Sequence, residues 1–305
     1  MKGDEAEVSP GHSFATDGQL RAKDPDHEEI STRRDRSGCR DRARRYRDPR
    51  AGSDELPQKP TQAAQKAGIH KMGDAYAGWE QRNSADHVST DMAPSPALAA
   101  TKTLGIDVAA YQGNVNWSSQ YSSGVRWAYT KATEGDYYTN SYFAQQYNGS
   151  YNAGIIRGAY HFANPAGRSA SAQADYFVNH GGGWSRDGKT LPGMLDIEYN
   201  PYGATCYGLS KSAMVTWIRT FLAEYKARTS RDAVIYTTTG WWTTCTGNST
   251  AFNQTNPLWI ARYSSSPGTL PGGWPYYTMW QYTSSPIDKN LFNGDLSRVR
   301  ALATG

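Results

Sequence analysis

From Leu104 onward the chain repeats one texture: a short apolar or aromatic run, then a longer polar or helix-like stretch. The runs 105–109, 127–131, 155–161, 194–197, 233–237, 258–263 and 278–282 predict strands, and a shorter piece near Leu291 and Phe292 predicts one more. Between them, 170–179 and 211–228 predict helices. The second carries Met214, Trp217, Ile218, Phe221, Leu222 and Tyr225 at three- and four-residue steps, an apolar stripe suited to packing. Strands alternating with helices over about 200 residues predict a parallel α/β sheet or barrel. A full barrel averages about 250 residues, so the ring of helices is expected to be incomplete.

The first hundred residues lack this texture. Of the 10 Trp only Trp79 lies there, and of the 21 Tyr only Tyr46 and Tyr76. Too little apolar material is present for a core, so 1–100 is expected to be a low-complexity, charged, disordered extension and linker, and 101–305 the folded domain. Residues 33–50 are dense in Arg and Asp and read as a solvated tail. Residues 74–82 predict one or two helical turns, and 92–98 a linker.

Charge narrows the partners. The formal net charge is only +4, and the aromatic-rich part has no basic patch with interleaved rings, so nucleic acid is not an expected partner. A mildly basic surface suits an anionic polymer such as a cell wall. No stretch is long and apolar enough to span a bilayer, and the start, Met1-Lys2-Gly3-Asp4-Glu5, shows no signal-peptide core. Of the 3 Cys, Cys39 sits among charges, whereas Cys206 and Cys245 both lie in Gly/Thr-rich loop sequence. The latter two are expected to form a disulfide, which implies an oxidising compartment.

The candidate chemistry centres on Leu195-Asp196-Ile197-Glu198-Tyr199. On a strand, residues two apart share a face, with Cβ atoms about 6–7 Å apart. Asp196 and Glu198 are therefore expected to aim two carboxylates into one space, with Ile197 turned away. Like charges so close should raise at least one pKa. A carboxyl kept protonated can donate to a leaving oxygen, while its neighbour stabilises positive charge on a sugar ring. In a β/α barrel the chemistry sits at the C-terminal ends of the strands. Asp107, His161, Asp196, Glu198 and Gln281 fall at or near such ends, and Asp288 is a further acid for the cleft.

The stretch from Gly183 to Thr190 matches the phosphate-cradling pattern G-x4-G-K-[ST]. That mechanism needs a strand before the loop and a helix after it. Here a helical segment precedes it, and Pro192-Gly193 would break a helix at its first turn. It is read as an exposed loop.

These residues together resemble the glycoside hydrolase family 25 lysozymes, the Chalaropsis-type muramidases. The resemblance runs from about Leu104 to Gly305. It is carried by Gly105-Ile106-Asp107-Val108 with Tyr111-Gln112-Gly113, Lys131-Ala132-Thr133-Glu134-Gly135, Gly158-Ala159-Tyr160-His161-Phe162, Leu195-Asp196-Ile197-Glu198, Leu258 to Tyr263, Trp280-Gln281-Tyr282 and Asp288-Lys289-Asn290. It departs at Tyr129-Thr130, where the family usually has two apolar residues, and in the short stretch from Ser284 to Asp288.

The resemblance implies an irregular eight-stranded barrel that hydrolyses the β-1,4 bond between N-acetylmuramic acid and N-acetylglucosamine in peptidoglycan. Glu198 is implied as general acid, Asp196 as the group that stabilises the charged intermediate or orients the substrate's N-acetyl group, and Asp107 and Asp288 as cleft acids. Tyr160, Tyr199, Tyr236, Tyr263, Trp280 and Gln281 are implied around the sugars; Tyr199 and Trp280 read equally well as core aromatics. Acid-assisted hydrolysis requires no metal or organic cofactor. A secreted monomer acting on glycan strands is expected. A chitinase-like hydrolase shares a strand-end D-x-E, but the Asp107 motif argues against it. A wall-binding lectin would not need both acids.

Overall fold

The computed structural model describes residues 58–82 and 101–305. The expected extension is therefore tested only over 58–82; the readings at 33–50 and 92–98 and the thiol of Cys39 lie outside the described residues.

Among the described residues nine strands form one sheet: β1 Thr103–Val108, β2 Trp127–Glu134, β3 Tyr138–Thr139, β4 Ile156–Phe162, β5 Met194–Asp196, β6 Val234–Thr237, β7 Leu258–Ala261, β8 Met279–Thr283 and β9 Asp288–Phe292. Their order is β1-β9-β8-β7-β6-β5-β4-β2-β3, with β1 also paired to β2. Eight strands thus close into a barrel, and the two-residue β3 hangs on β2 outside the ring. Neighbours from β1 through β8 pair in parallel, whereas β9 runs antiparallel to both β8 and β1. The C-terminal ends of the parallel strands and the start of β9 therefore open at one mouth.

The inward positions of the strands form an aromatic floor beneath that mouth. Trp127, Tyr129, Tyr160, Met194, Tyr236, Trp259, Met279 and Phe292 pack together there. Trp259 is its hub, with ring centroids 5.4 Å from Trp127, 5.1 Å from Tyr129 and 5.4 Å from Tyr236. Burying rings this large is a main source of stability.

Among the described residues seven α-helices accompany the strands: α1 Gln62–Lys66, α2 Trp117–Ser122, α3 Phe143–Asn152, α4 Ala170–Phe177, α5 Lys211–Thr229, α6 Thr239–Thr246 and α7 Leu296–Thr304. The stripe expected on α5 is buried as a set against the outside of the barrel, beside Leu195, Ile197, Ile235 and Ile260. Ser210 starts that helix by accepting from the Ala213 amide, and Ser230 ends it in the left-handed conformation. Residues 183–190 form an irregular exposed stretch with no helix after it, as expected.

Cys206 and Cys245 are joined, with Cα atoms 5.3 Å apart. Cys245 lies in α6 rather than in a loop, because Thr238 caps that helix despite its β-favouring composition. The bridge ties the chain after β5 to α6 across 39 residues. Closing such a loop restricts the unfolded chain by about 4 kcal/mol at most, with about 2–4 kcal/mol typical. Replacing both cysteines by Ser is accordingly expected to lower the unfolding free energy by about 2–4 kcal/mol in a urea titration.

One expectation is corrected. Residues 58–82 are not a free extension: Ala64, Ile69, Ala75, Tyr76, Ala77 and Trp79 are all buried. The expected helical content shrinks to a single 3-10 turn at Glu80–Arg82, and α1 lies earlier. The segment needs no core of its own, since it shares one with Ala109, Phe162 and Tyr202 of the barrel.

Candidate active site

Strand alternation sets the acids. Met194 faces the barrel interior and Leu195 the helices; Asp196 therefore points inward, Ile197 outward, and Glu198 inward again. The two carboxylates are buried at the mouth as their spacing requires. Both have pKa values well above the ordinary carboxylate value, first because burial penalises their charged forms. For Glu198 the charge of Asp196 adds to this, while the Gly78 amide opposes it. For Asp196 the Lys131 ammonium opposes the shift and Asp107 adds to it. The pair suits a site that holds a proton near neutral pH.

Asp107 ends β1 on the same mouth and is paired in register with Asp288. Its Oδ2 accepts from Gln281 Nε2 at 3.0 Å and from Asn290 Nδ2 at 2.7 Å. Tyr111 donates to Asp288 Oδ2 at 2.9 Å. Tyr236 donates to Gln281 Oε1 at 2.6 Å, which orients the Gln281 amide toward Asp107. Tyr160 is buried in the same interior, and Tyr199 and Tyr263 stand on the rim. Asp107, Asp196, Glu198, Asp288, Tyr160, Tyr236, Tyr263 and Gln281 are thus brought to one end of the barrel.

Two expected positions are not. Trp280 lies between Met279 and Gln281, both of which face inward, so its ring points out to Tyr277 and Tyr282 and its Nε1 donates to Arg262 O at 2.9 Å. It is a core aromatic. His161 likewise faces outward, between Thr133 Oγ1 at 2.8 Å and Gln173 Oε1 at 3.0 Å, and stacks on Phe221. Burial pushes its pKa down to about 3, so it stays neutral.

A second charged pair at the mouth carried no role in the sequence reading. Lys131 and Glu134 are fully buried and meet at 2.6 Å. Strict alternation would put residues three apart on opposite faces. Here the register shifts between Lys131 and Thr133, and the bulge at Ala132 returns Glu134 to the interior. Glu134 also accepts from Tyr137 at 2.7 Å, from Tyr202, and from the Gly73 amide at 2.9 Å.

The raised acids fix the sign of a stability effect. Because folding raises the pKa of Asp196 and of Glu198, the folded pair retains a proton that the unfolded chain releases above about pH 4. Their penalty is absent below that pH and grows as pH rises toward the folded values. Full-length Glu198→Gln is therefore expected to melt above the parent at pH 7, at about 2–4 °C per kcal/mol recovered, with the advantage vanishing near pH 4. Calorimetry at the two pH values checks this; an equal shift at both would contradict it.

Comparison with known proteins identifies the family of the barrel. The glycosyl hydrolases family 25 profile matches residues 106–291. Lysozyme M1 of Streptomyces globisporus is 55% identical over 207 residues, covering 65% of this chain and 70% of that protein. The N,O-diacetylmuramidase of a Chalaropsis species is 50% identical over 208 residues, 66% of this chain and 99% of that one. The muramidase structure from Acremonium alcalophilum superposes with a TM-score of 0.66 at 58% identity, over 67% of this chain and 99% of that one. With a profile match over more than half its length and a closed barrel whose mouth gathers the acids, the chain belongs to glycosyl hydrolases family 25.

Proposed function

We propose that this chain is a muramidase, hydrolysing the β-1,4 bond between N-acetylmuramic acid and N-acetylglucosamine in peptidoglycan, with 101–305 as the catalytic unit. The observation that carries the reading is the pair Asp196 and Glu198, buried on one face of β5 and its extension, both with raised pKa.

Glu198 acts as general acid and gives its proton to the glycosidic oxygen as the bond to the anomeric carbon breaks. Asp196, the deeper of the two, stabilises the positive charge that develops on the ring or holds the substrate's N-acetyl group for attack. Asp107 and Asp288 set the field along the cleft and hold water or sugar. Tyr160, Tyr199, Tyr236, Tyr263 and Gln281 supply its walls and hydrogen bonds; Trp280 has no part in them. The chain works as a monomer on glycan strands outside the cell. The Cys206–Cys245 disulfide supports the oxidising compartment, and no helix among the described residues is long and apolar enough to cross a membrane.

Mass spectrometry of fragments released from purified peptidoglycan by residues 101–305 tests the bond. That length corresponds to 99% of the Chalaropsis protein and 99% of the Acremonium chain, so it is a complete folding unit in these relatives. Reducing N-acetylmuramic acid ends are expected. Reducing N-acetylglucosamine ends would reverse the bond, and wall binding without fragments would mark a lectin.

A further inference from the structure

Residues 58–82 occupy the cleft in which the preceding reading places the glycan. Between Gly73 and Gly78 the backbone of Gly73, Ala75, Ala77 and Gly78 is bonded to side chains of the mouth. The Gly78 amide donates to Glu198 Oε1 at 2.7 Å, and Tyr263 donates to Gly78 O at 3.3 Å. Gln281 Nε2 reaches Ala77 O at 3.4 Å. Lys131 Nζ donates to Gly73 O at 3.0 Å and to Ala75 O. Trp79 Nε1 donates to Tyr199 O at 3.1 Å, and farther out the Thr61 amide donates to Pro201 O at 2.8 Å. Ala77 reaches the aromatic floor itself and packs with Tyr129, Tyr160 and Trp259.

We propose that this segment is an intramolecular plug that keeps the full chain latent, so that the competent enzyme is the barrel freed of it. The inference rests on the muramidase reading and names the regulation of that same site. One oxygen of the carboxyl that must protonate a glycosidic bond is engaged by the Gly78 N–H, and a sugar cannot approach Glu198 while that backbone lies against it. The partners used by the plug, namely Glu198, Gln281, Tyr263 and Lys131, are buried polar groups that a glycan would otherwise engage. The plug satisfies them with main-chain donors and acceptors instead.

Covalent linkage makes the block effective. Arg82 and Thr103 are joined through the chain, so the segment rebinds at an effective concentration of order millimolar, beyond what a glycan strand at the wall readily displaces. Cutting the chain between these residues would turn rebinding into a bimolecular event, and the barrel would then be open to substrate.

Two glycines make the plug removable by substitution without touching the catalytic groups. Gly78 has φ +80°, and a Cβ there would lie 2.3 Å from Gln281 Oε1 and 2.5 Å from the Tyr263 hydroxyl. Gly73 has φ +98°, and a Cβ there would lie 2.3 Å from the Tyr138 ring. An Ala at either position is strained in backbone and blocked in space.

The experiment compares initial rates on purified peptidoglycan for four proteins: the full chain, full-length Gly78→Ala, full-length Gly73→Ala, and residues 101–305. The full chain is expected to be slower than 101–305 by about tenfold or more, with both glycine variants recovering most of the difference. Equal rates for the full chain and 101–305 would overturn the plug and leave the hydrolase standing. If all four are inactive, the muramidase reading fails, and a soluble oligosaccharide of alternating N-acetylmuramic acid and N-acetylglucosamine still decides the plug. Binding by 101–305 but not by the full chain, measured by calorimetry, supports occlusion. Equal binding, or none by either, overturns it.

Discussion

Replacing Glu198 by Gln in residues 101–305 is expected to lower turnover on peptidoglycan by about 10²-fold or more, with the fold intact. The swap is nearly isosteric, and even in the full chain, where the carboxyl is buried and its charged form penalised, nothing in the packing opposes an amide there. The loss is of one proton. A general acid contributes because its proton reaches the leaving oxygen as the bond breaks, and Gln has none to give at any relevant pH. The same change stabilises the full chain at neutral pH, since it removes a carboxyl that burial and the Asp196 charge hold in an unfavourable state. Loss of rate with gain of stability is the signature of a site that stores strain for chemistry. A residue serving only the fold would lose both together.

The other large effect is expected at Lys131. Its ammonium is fully buried and bonded to Glu134 Oε2 at 2.6 Å and to Gly73 O and Ala75 O. Burial lowers its pKa, and the Glu134 carboxylate counteracts part of that. Lys131→Met leaves the Glu134 carboxylate buried with neutral donors alone and strips two main-chain oxygens of their partner. Breaking a buried pair from one side costs about 3–5 kcal/mol, mostly the price of the charge left behind. A urea titration of the full chain should show that loss, and adding Glu134→Gln should return part of it. A cost for the double variant equal to the sum of the two single costs would mean the pair is not coupled.

What could be read in advance followed from simple periodicities. Asp196 and Glu198 follow from alternation on a short strand bounded by Gly and Pro, and the stripe from Met214 to Tyr225 from helical spacing on α5. Alternation also explains Trp280: placed between Met279 and Gln281, it had to face outward once Gln281 faced in. The Lys131–Glu134 pair was hidden because a bulge breaks the period at Ala132. Helices α2, α3 and α6 are not legible in the pattern because their residues are polar or, as with Trp241, Trp242 and the threonines of α6, favour strands in isolation, and α7 spans only nine residues. Their Asn116, Thr238 and Asp295 caps and their packing on the barrel decide the conformation instead. The segment 58–82 was misread for a different reason. Composition reports whether a stretch can build its own core, not whether it can complete another, and Tyr76 and Trp79 do the latter.

If Glu198 donates the proton, its removal should matter in proportion to how much the leaving group needs one. Residues 101–305, as parent and as Glu198→Gln, would be assayed on peptidoglycan and on a soluble muramyl glycoside bearing an acidic aryl alcohol as its leaving group. Such an alcohol departs as its anion and needs no proton. A loss of about 10²-fold or more is expected on peptidoglycan and a far smaller one on the aryl glycoside. Equal losses on both substrates would contradict it and move the general acid elsewhere in the cleft.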